Sequence, residues 1–328
     1  MSRLRARFGT SAALAAALLA PGAGRVHALR VFTGLAREPG AAAPSVVLRS
    51  FVSGGRGFLL LVDPHTLETR ALPAGAVSVE RRSWSEVRRA IADSPYGRAL
   101  AEAERHGVPL QDAGLTHLRP PAPGVDLTVD LCPSHLPLDR RLFTALVEEL
   151  GRYQRPVPVA VALTGAWMRE HPEDLAWLLS LVRDGELAAT WVDHSFHHRS
   201  SATLPIRENF LLEPGTDLAS EVLQTEAAML AAGITPSAFF RFPGLVSSPA
   251  LFARVVAFGL VPVGSDAWLA KNEWPRDGSI VLVHANGNEP LGVRRFLQLL
   301  RDQREAIRAG SWQLFDLRES VAGSEAPR

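Results

Sequence analysis

Apolar and polar positions follow two regimes along the chain. Between residues 45 and 72 the apolar runs are short. Residues 45–52 and 57–62 are split by Gly54-Gly55, and residues 69–72 follow the turn signal Asp63-Pro64. Runs of this length bounded by Gly and Pro predict strands, and the paired glycines predict a hairpin. Residues 83–106 then show helical periodicity with many charges. From residue 124 the period switches repeatedly. Residues 125–130, 157–163, 187–192, 237–240, 260–263, 279–283 and 312–315 predict strands. Between them, residues 139–151, 172–183, 217–232, 249–258 and 293–309 predict helices. In the first of these, Leu142, Phe143, Leu146 and Leu150 fall on one face. Strand-then-helix alternation predicts parallel α/β architecture, an open sheet or a barrel. The Pro/Gly-rich stretch 119–124 marks a boundary before it. The expected division is a small N-terminal α/β region at 29–118, a barrel domain at 119–318 and a flexible tail at 319–328.

Composition supports a large core, with 47% apolar and 21% charged residues over 328 positions. The N-terminus reads as an export signal over residues 1–28. Arg3, Arg5 and Arg7 precede the apolar run 10–20, and Val26-His27-Ala28 supplies small residues for cleavage. The run is shorter than the roughly 20 residues that span a bilayer. The chain carries 35 basic and 34 acidic residues. Removing the four arginines of residues 1–28 leaves 31 against 34, a net charge of −3. The mature chain is therefore expected in the periplasm or outside the cell, with no stable membrane span and no nucleic-acid partner. Cys132 is the only cysteine, which excludes an intrachain disulfide and any multi-cysteine metal site. Lys271 is the only lysine and lies in no phosphate-binding loop motif.

Chemistry-capable residues fall at the C-terminal ends of the predicted strands: Asp130, Asp193-His194, Arg241, Asp266 and His284. Parallel α/β folds build their active sites at that edge, because the strand-to-helix loops converge there. His194-Ser195-Phe196-His197-His198 is the densest cluster. In a helical turn, His194 and His198 would share one side and suit a divalent transition metal. Asp130 or Asp193 would supply an oxygen ligand, and Cys132 reads first as a small buried residue. Asp266 is expected to hold one ring nitrogen of His284, and Arg241 to pair with Asp130. Asn286 and Asn288 read as loop hydrogen-bonding residues. Trp167, Trp191 and Trp268 lie near strand ends, where they would stack on sugar rings or fill the barrel.

In this order the residues resemble the polysaccharide deacetylases, carbohydrate esterase family 4 with its NodB-homology domain, over roughly residues 124–318. Thr128-Val129-Asp130-Leu131-Cys132-Pro133 resembles the first motif, usually T-F-D-D-G-P. His194-Ser195-Phe196-His197-His198 matches H-[ST]-x-x-H. Arg241-Phe242-Pro243-Gly244, Asp266-Ala267-Trp268 and Leu282-Val283-His284 resemble the remaining three. The resemblance implies a distorted (β/α) barrel, beside the small N-terminal α/β module read from the pattern. Together with the export signal, it implies an exported, metal-dependent hydrolase that removes N-acetyl or O-acetyl groups from a carbohydrate polymer. Asp130 would be the base that deprotonates the attacking water, and His284 the acid that protonates the leaving group. Arg241 would tune Asp130, and Asp266 would orient His284. His194, His198 and Asp130 would hold a divalent ion, with zinc expected. Trp268, Pro243 and Gly244 would line the substrate site. One position departs from the pattern, because the second aspartate of the first motif is Leu131. Then Asp130 itself is a ligand, or Asp193, Cys132 or His197 completes the site. Otherwise the metal is lost and the chain is an inactive glycan-binding relative. A subgroup reading T-F-D-A-C resembles the Asp-Leu-Cys found here.

Overall fold

The computed structural model describes residues 25–323 apart from residue 106. Arg3, Arg5, Arg7 and the apolar run of the expected export signal lie outside the described residues. The residues expected to form its cleavage site open β1 (Val26–Arg37), where Val26 and His27 pair with Ser53 and Val52. β1 joins β2 (Ser45–Ser53), β3 (Arg56–Val62), β4 (Thr69–Pro73) and β5 (Ser78–Arg81) in an antiparallel sheet ordered β4-β3-β2-β1-β5. Gly54 and Gly55 make the β2–β3 turn with φ of 55° and 74°. Two consecutive positive φ values match the twist of a tight hairpin and favour glycine. The helical stretch predicted at 83–106 divides into α1 (Trp84–Ala90) and α2 (Pro95–Arg105). The Ser83 hydroxyl and the Glu86 carboxylate cap α1 reciprocally. The turn between the helices closes on Ile91, whose carbonyl accepts from Ser94 Oγ. A Cβ on Gly97 would fall 2.0 Å from that same carbonyl oxygen.

The second part is a curled sheet of parallel strands. It contains β6 (Gly124–Leu131), β7 (Val157–Leu163), β8 (Leu187–Asp193), β9 (Phe239–Phe240), β10 (Val261–Pro262), β11 (Ala267–Trp268) and β12 (Ile280–His284), in the order β10-β9-β8-β7-β6-β12-β11. The short strand β13 (Gln313–Leu314) pairs with the start of β6. The outer helices include α3 (Arg140–Leu150), α4 (Gly165–Glu170), α5 (Pro172–Arg183), α6 (Leu218–Ala231), α7 (Pro249–Ala257) and α8 (Pro290–Asp302). The predicted helix 293–309 is broken at Gln303, so that α9 (Arg304–Ala309) follows α8 as a separate turn. The expected tail at 319–328 is helical through residue 323. α10 (Leu317–Gly323) buries Leu317, Ser320 and Val321.

β6 shows how the barrel is built. All eight residues are buried, as in a strand covered on both faces. Val125, Leu127, Val129 and Leu131 belong to the apolar layer with Leu142, Phe143 and Leu146 of α3. The alternate residues Asp126, Thr128 and Asp130 therefore face the other way, into the barrel.

The two parts share one of the two large hydrophobic clusters. Val46, Leu48 and Phe51 of β2, with Tyr96 and Leu100 of α2, join the same cluster as Val222 of α6 and Val255 of α7. Arg49 of β2 is fully buried against Glu226 of α6, with Nε–Oε2 2.6 Å and Nη2–Oε1 2.7 Å. Residues 110–118 then run along the seam between β10 and β12. Leu115 N donates to Pro262 O, Gly264 N to Leu115 O, Leu118 N to Gly278 O and Ile280 N to Thr116 O. The open side of the curled sheet is thus laced by a segment that precedes the barrel in sequence.

Candidate functional site

Parallel pairing puts the strand ends in register. His284 stands opposite Asp130, Leu131 opposite Leu163, Leu163 opposite Asp193, and Asp193 opposite Phe240, the residue before Arg241. Five sequence candidates thus reach one rim: Asp130, Asp193, His194, Arg241 and His284. Arg241 is buried and crosses the barrel interior. Its Nη1 donates to Asp130 Oδ1 at 3.0 Å and to Thr128 Oγ1 at 2.6 Å, and its Nη2 donates to Gly264 O at 2.8 Å. The guanidinium fixes Asp130 on one side and leaves Oδ2 facing His194, 3.5 Å from Nε2.

The histidine segment is not the helical turn expected from its spacing. Residues 194–198 form a loop with positive φ at Ser195 (67°) and His198 (45°). That loop still brings the His194 and His198 rings to 4.9 Å. Its backbone is held from two directions. Asp193 Oδ1 accepts from Ser195 N, and Glu221 Oε2 of α6 accepts from the amides of Phe196 and His197. His194 Nδ1 donates to Arg241 O at 2.8 Å, which keeps Nε2 as the free lone pair.

Cys132, His194 and His198 place their ligand atoms within 4.8 Å of one another, the one such group of donors among the described residues. Cys132 Sγ is 3.5 Å from His194 Nε2. A thiol and two imidazoles form a donor set that suits a divalent transition metal. The other candidates lie elsewhere. His197 turns out to the surface and pairs with Glu221 at 2.8 Å. Asp193 is buried near Glu226, and burial holds its carboxyl well above the usual carboxylate range. Asp130 stands at the edge of the donor group through its contact with His194.

His284 is paired differently from the sequence expectation. Parallel pairing of Ala267 with Val281 sets Asp266 level with Ile280. That is four residues short of His284, about 13 Å along the strand. Asp266 instead meets His117 Nδ1 at 2.8 Å and accepts from Ile280 N. The carboxylate beside His284 is Glu289, with Oε2 2.9 Å from Nδ1 and 2.8 Å from Trp268 Nε1. No motif flags Glu289. Its only signal is its place in the loop after His284, directly before α8.

The local field is strongly coupled. Burial alone would push the Cys132 thiol up, but His198, His284 and His194 hold it well below its usual value. Burial would likewise lower His284, yet Cys132, Glu289 and Asp130 carry it well above the ordinary imidazole value. Against the same penalty, Cys132 also raises His198.

Of the expected substrate contacts, Trp268 is mostly buried, with Lys271 Nζ 3.5 Å from its ring centroid and His284 beside it. Pro243 is buried, and Gly244 adopts φ of 60° against Phe210, whose ring a Cβ would meet at 2.4 Å. Trp167 and Trp191 are packed in the interior. Asn286 and Asn288 tie the neighbouring loop, donating to Cys132 O at 2.8 Å and Pro133 O at 3.3 Å.

No family model matches the chain. Among solved structures it is similar to a family 4 carbohydrate esterase from Bacillus anthracis, with 19% identity and a TM-score of 0.46, over 64% of this chain and 87% of that one. It is also similar to a family 4 carbohydrate esterase from Streptomyces lividans in complex with acetate, with 18% identity and a TM-score of 0.43, over 63% and 98%. A third is a family 4 pseudoenzyme from Bacillus anthracis, with 15% identity and a TM-score of 0.41, over 62% and 66%. These three are thus two family 4 carbohydrate esterases and a pseudoenzyme of the same family.

Proposed function

We propose that the chain is an exported, metal-dependent hydrolase that removes acetyl groups from an N-acetylated or O-acetylated carbohydrate polymer. The observation that carries the reading is the pairing of Asp130 with His284 on adjoining strands, beside a cluster of metal-type donors. His194 and His198 would hold the ion. When bound, it would polarise the acyl carbonyl and ease deprotonation of water. Asp130 has one carboxylate oxygen on Arg241 and keeps the other for the proton of the attacking water. His284 has Nδ1 beside Glu289, which leaves Nε2 to deliver a proton to the leaving group. Trp268 holds Glu289 from its other side and so fixes the pair.

Acetate release from acetylated chitooligosaccharides and peptidoglycan, with zinc supplied, tests the reading. Asp130→Asn and His284→Gln are each expected to lower turnover by roughly 100-fold or more. Glycan binding with no release in any divalent metal would replace it with a non-catalytic glycan-binding role. Neither binding nor release would remove both.

A further inference from the structure

Leu131 stands where a carboxylate ligand is expected, and the structure offers a substitute one residue later. Leu131 lies in the apolar layer between β6 and the outer helices. No metal-binding role is open to it there. Cys132 follows in the alternation and turns to the side of Asp130. It is as buried as a core residue, at 5% exposure, yet it belongs to none of the hydrophobic clusters. Its neighbours are imidazoles.

The geometry points to Cys132 as the third protein ligand of the centre, bound as a thiolate with His194 and His198, so that the site takes a sulfur-accepting ion such as zinc or cobalt(II) and not magnesium or manganese. This deepens the reading above and rests on its placement of an ion at the histidine pair. Three observations carry it. In a tetrahedral site with zinc–sulfur about 2.3 Å and zinc–nitrogen about 2.0–2.1 Å, sulfur and nitrogen stand about 3.6 Å apart. Cys132 Sγ and His194 Nε2 are already 3.5 Å apart. Next, His194 Nδ1 is committed to Arg241 O, so its ligating lone pair lies on the Nε2 side, toward the sulfur. Finally, the backbone around Cys132 is pinned. Thr164 Oγ1 donates to Leu131 O at 2.9 Å, Asn286 Nδ2 to Cys132 O at 2.8 Å, and His171 Nε2 meets Ser134 O at 2.7 Å. A loop fixed at three successive points presents its one thiol in a set position.

The assignment also settles the double duty of Asp130. With the third ligand supplied by sulfur, Asp130 keeps its place on Arg241 and is not consumed as a ligand. Thiolate ligands favour zinc and cobalt over hard cations, which prefer oxygen.

Cobalt(II) titration of the metal-stripped full-length protein decides it. The expected result is one equivalent bound, with the intense visible bands of a tetrahedral ion and a sulfur-to-cobalt charge-transfer band in the near ultraviolet. Because Cys132 is the only cysteine, such a band can come from no other thiolate, and the wild type alone is informative. Cys132→Ser should abolish the band and weaken cobalt binding by roughly 100-fold or more. Cys132→Asp should restore binding without the band. Zinc should displace cobalt, and excess magnesium should not. One equivalent of cobalt without a charge-transfer band, lost in His194→Ala, would overturn the thiolate ligand and leave the hydrolase reading standing. No cobalt bound by the wild type would overturn both.

Discussion

At the scale of single residues, the site separates what a motif can tell from what only packing can. Asp130, His194, Arg241 and His284 were legible because each ends a strand, and strand ends can be read from hydrophobic period. Their partners were not. Glu289 reaches His284 because the loop after β12 folds back before α8, a path that no spacing rule encodes. Asp266 looked like the partner because it follows a strand and precedes a tryptophan, yet parallel register sets it about 13 Å away. The difference is measurable. Glu289→Gln should lower turnover by about 10- to 100-fold and shift the limb of the pH profile that reports His284. Asp266→Asn should leave turnover within a few-fold of wild type and act on stability through His117. Equal losses of turnover in both variants would contradict this assignment. Asp126 makes a second prediction. Its carboxyl faces the barrel floor, takes one bond from Ser320 Oγ and leaves Oδ2 without a partner. Burial raises it well above its ordinary value of 3.8. A carboxyl raised in the folded state binds its proton more tightly there than in the unfolded chain, so it costs stability as pH rises above about 4. Each unit of that rise is worth about 1.4 kcal/mol. Asp126→Asn keeps the acceptor for Ser320 and removes the ionisation. Its melting temperature relative to wild type should increase between pH 4 and pH 7; a flat difference would show that burial does not raise the Asp126 carboxyl in the folded state.

Among the elements, the pattern gave the larger pieces and missed those whose residues serve two masters. The β2–β3 hairpin follows from Gly54-Gly55, and β6, β7 and β8 follow from short segments rich in apolar residues. β1 was missed because its arginines, its histidine and Gly34 break the alternation, and because its start coincides with an expected cleavage site. The helices predicted at 83–106 and 293–309 were each one element too few, since periodicity persists across a turn that local hydrogen bonds close. The histidine loop was read as a helical turn from an i, i+4 spacing that a loop with two positive φ angles satisfies equally well. That loop rests on the start of α4. Gly165 N donates to Ser195 O and Ala166 N to Phe196 O, and a Cβ on Gly165 would stand 2.0 Å from the Phe196 ring. Gly165→Ala must therefore displace Phe196 and pull on both flanking histidines. The expected cost is about 1–3 kcal/mol of stability, together with weaker cobalt binding. Unchanged cobalt affinity at reduced stability would show that the loop moves independently of α4.

For the whole molecule, the boundary suggested by residues 119–124 is a change of architecture crossed by one of the two large hydrophobic clusters. Sequence could not show this, because a shared core is a property of how two patterns meet and not of either one. One large cluster runs from β2 and α2 into α6 and α7 and joins the two parts, while a second lies wholly within the barrel. Arg49 and Glu226 sharpen the point. The side chains are 0% and 1% exposed, and Arg49 Nη1 also donates to Phe258 O at 2.7 Å. A charged pair so deep is stable only while both partners and their hydrogen bonds are present. Removing one partner leaves the other charge buried, at a cost of about 3–5 kcal/mol. Replacing both with apolar residues of similar size removes that penalty. Arg49→Met is therefore expected to be strongly destabilising, and the double variant Arg49→Met with Glu226→Leu to recover most of the loss. Because the pair joins the N-terminal sheet to the barrel, the loss should appear as a lower temperature for one calorimetric transition whose calorimetric and van't Hoff enthalpies agree. A wild type that melts in two steps, with Arg49→Met shifting only the first, would mean that the barrel stands without the sheet and that residues 119–323 can be studied alone.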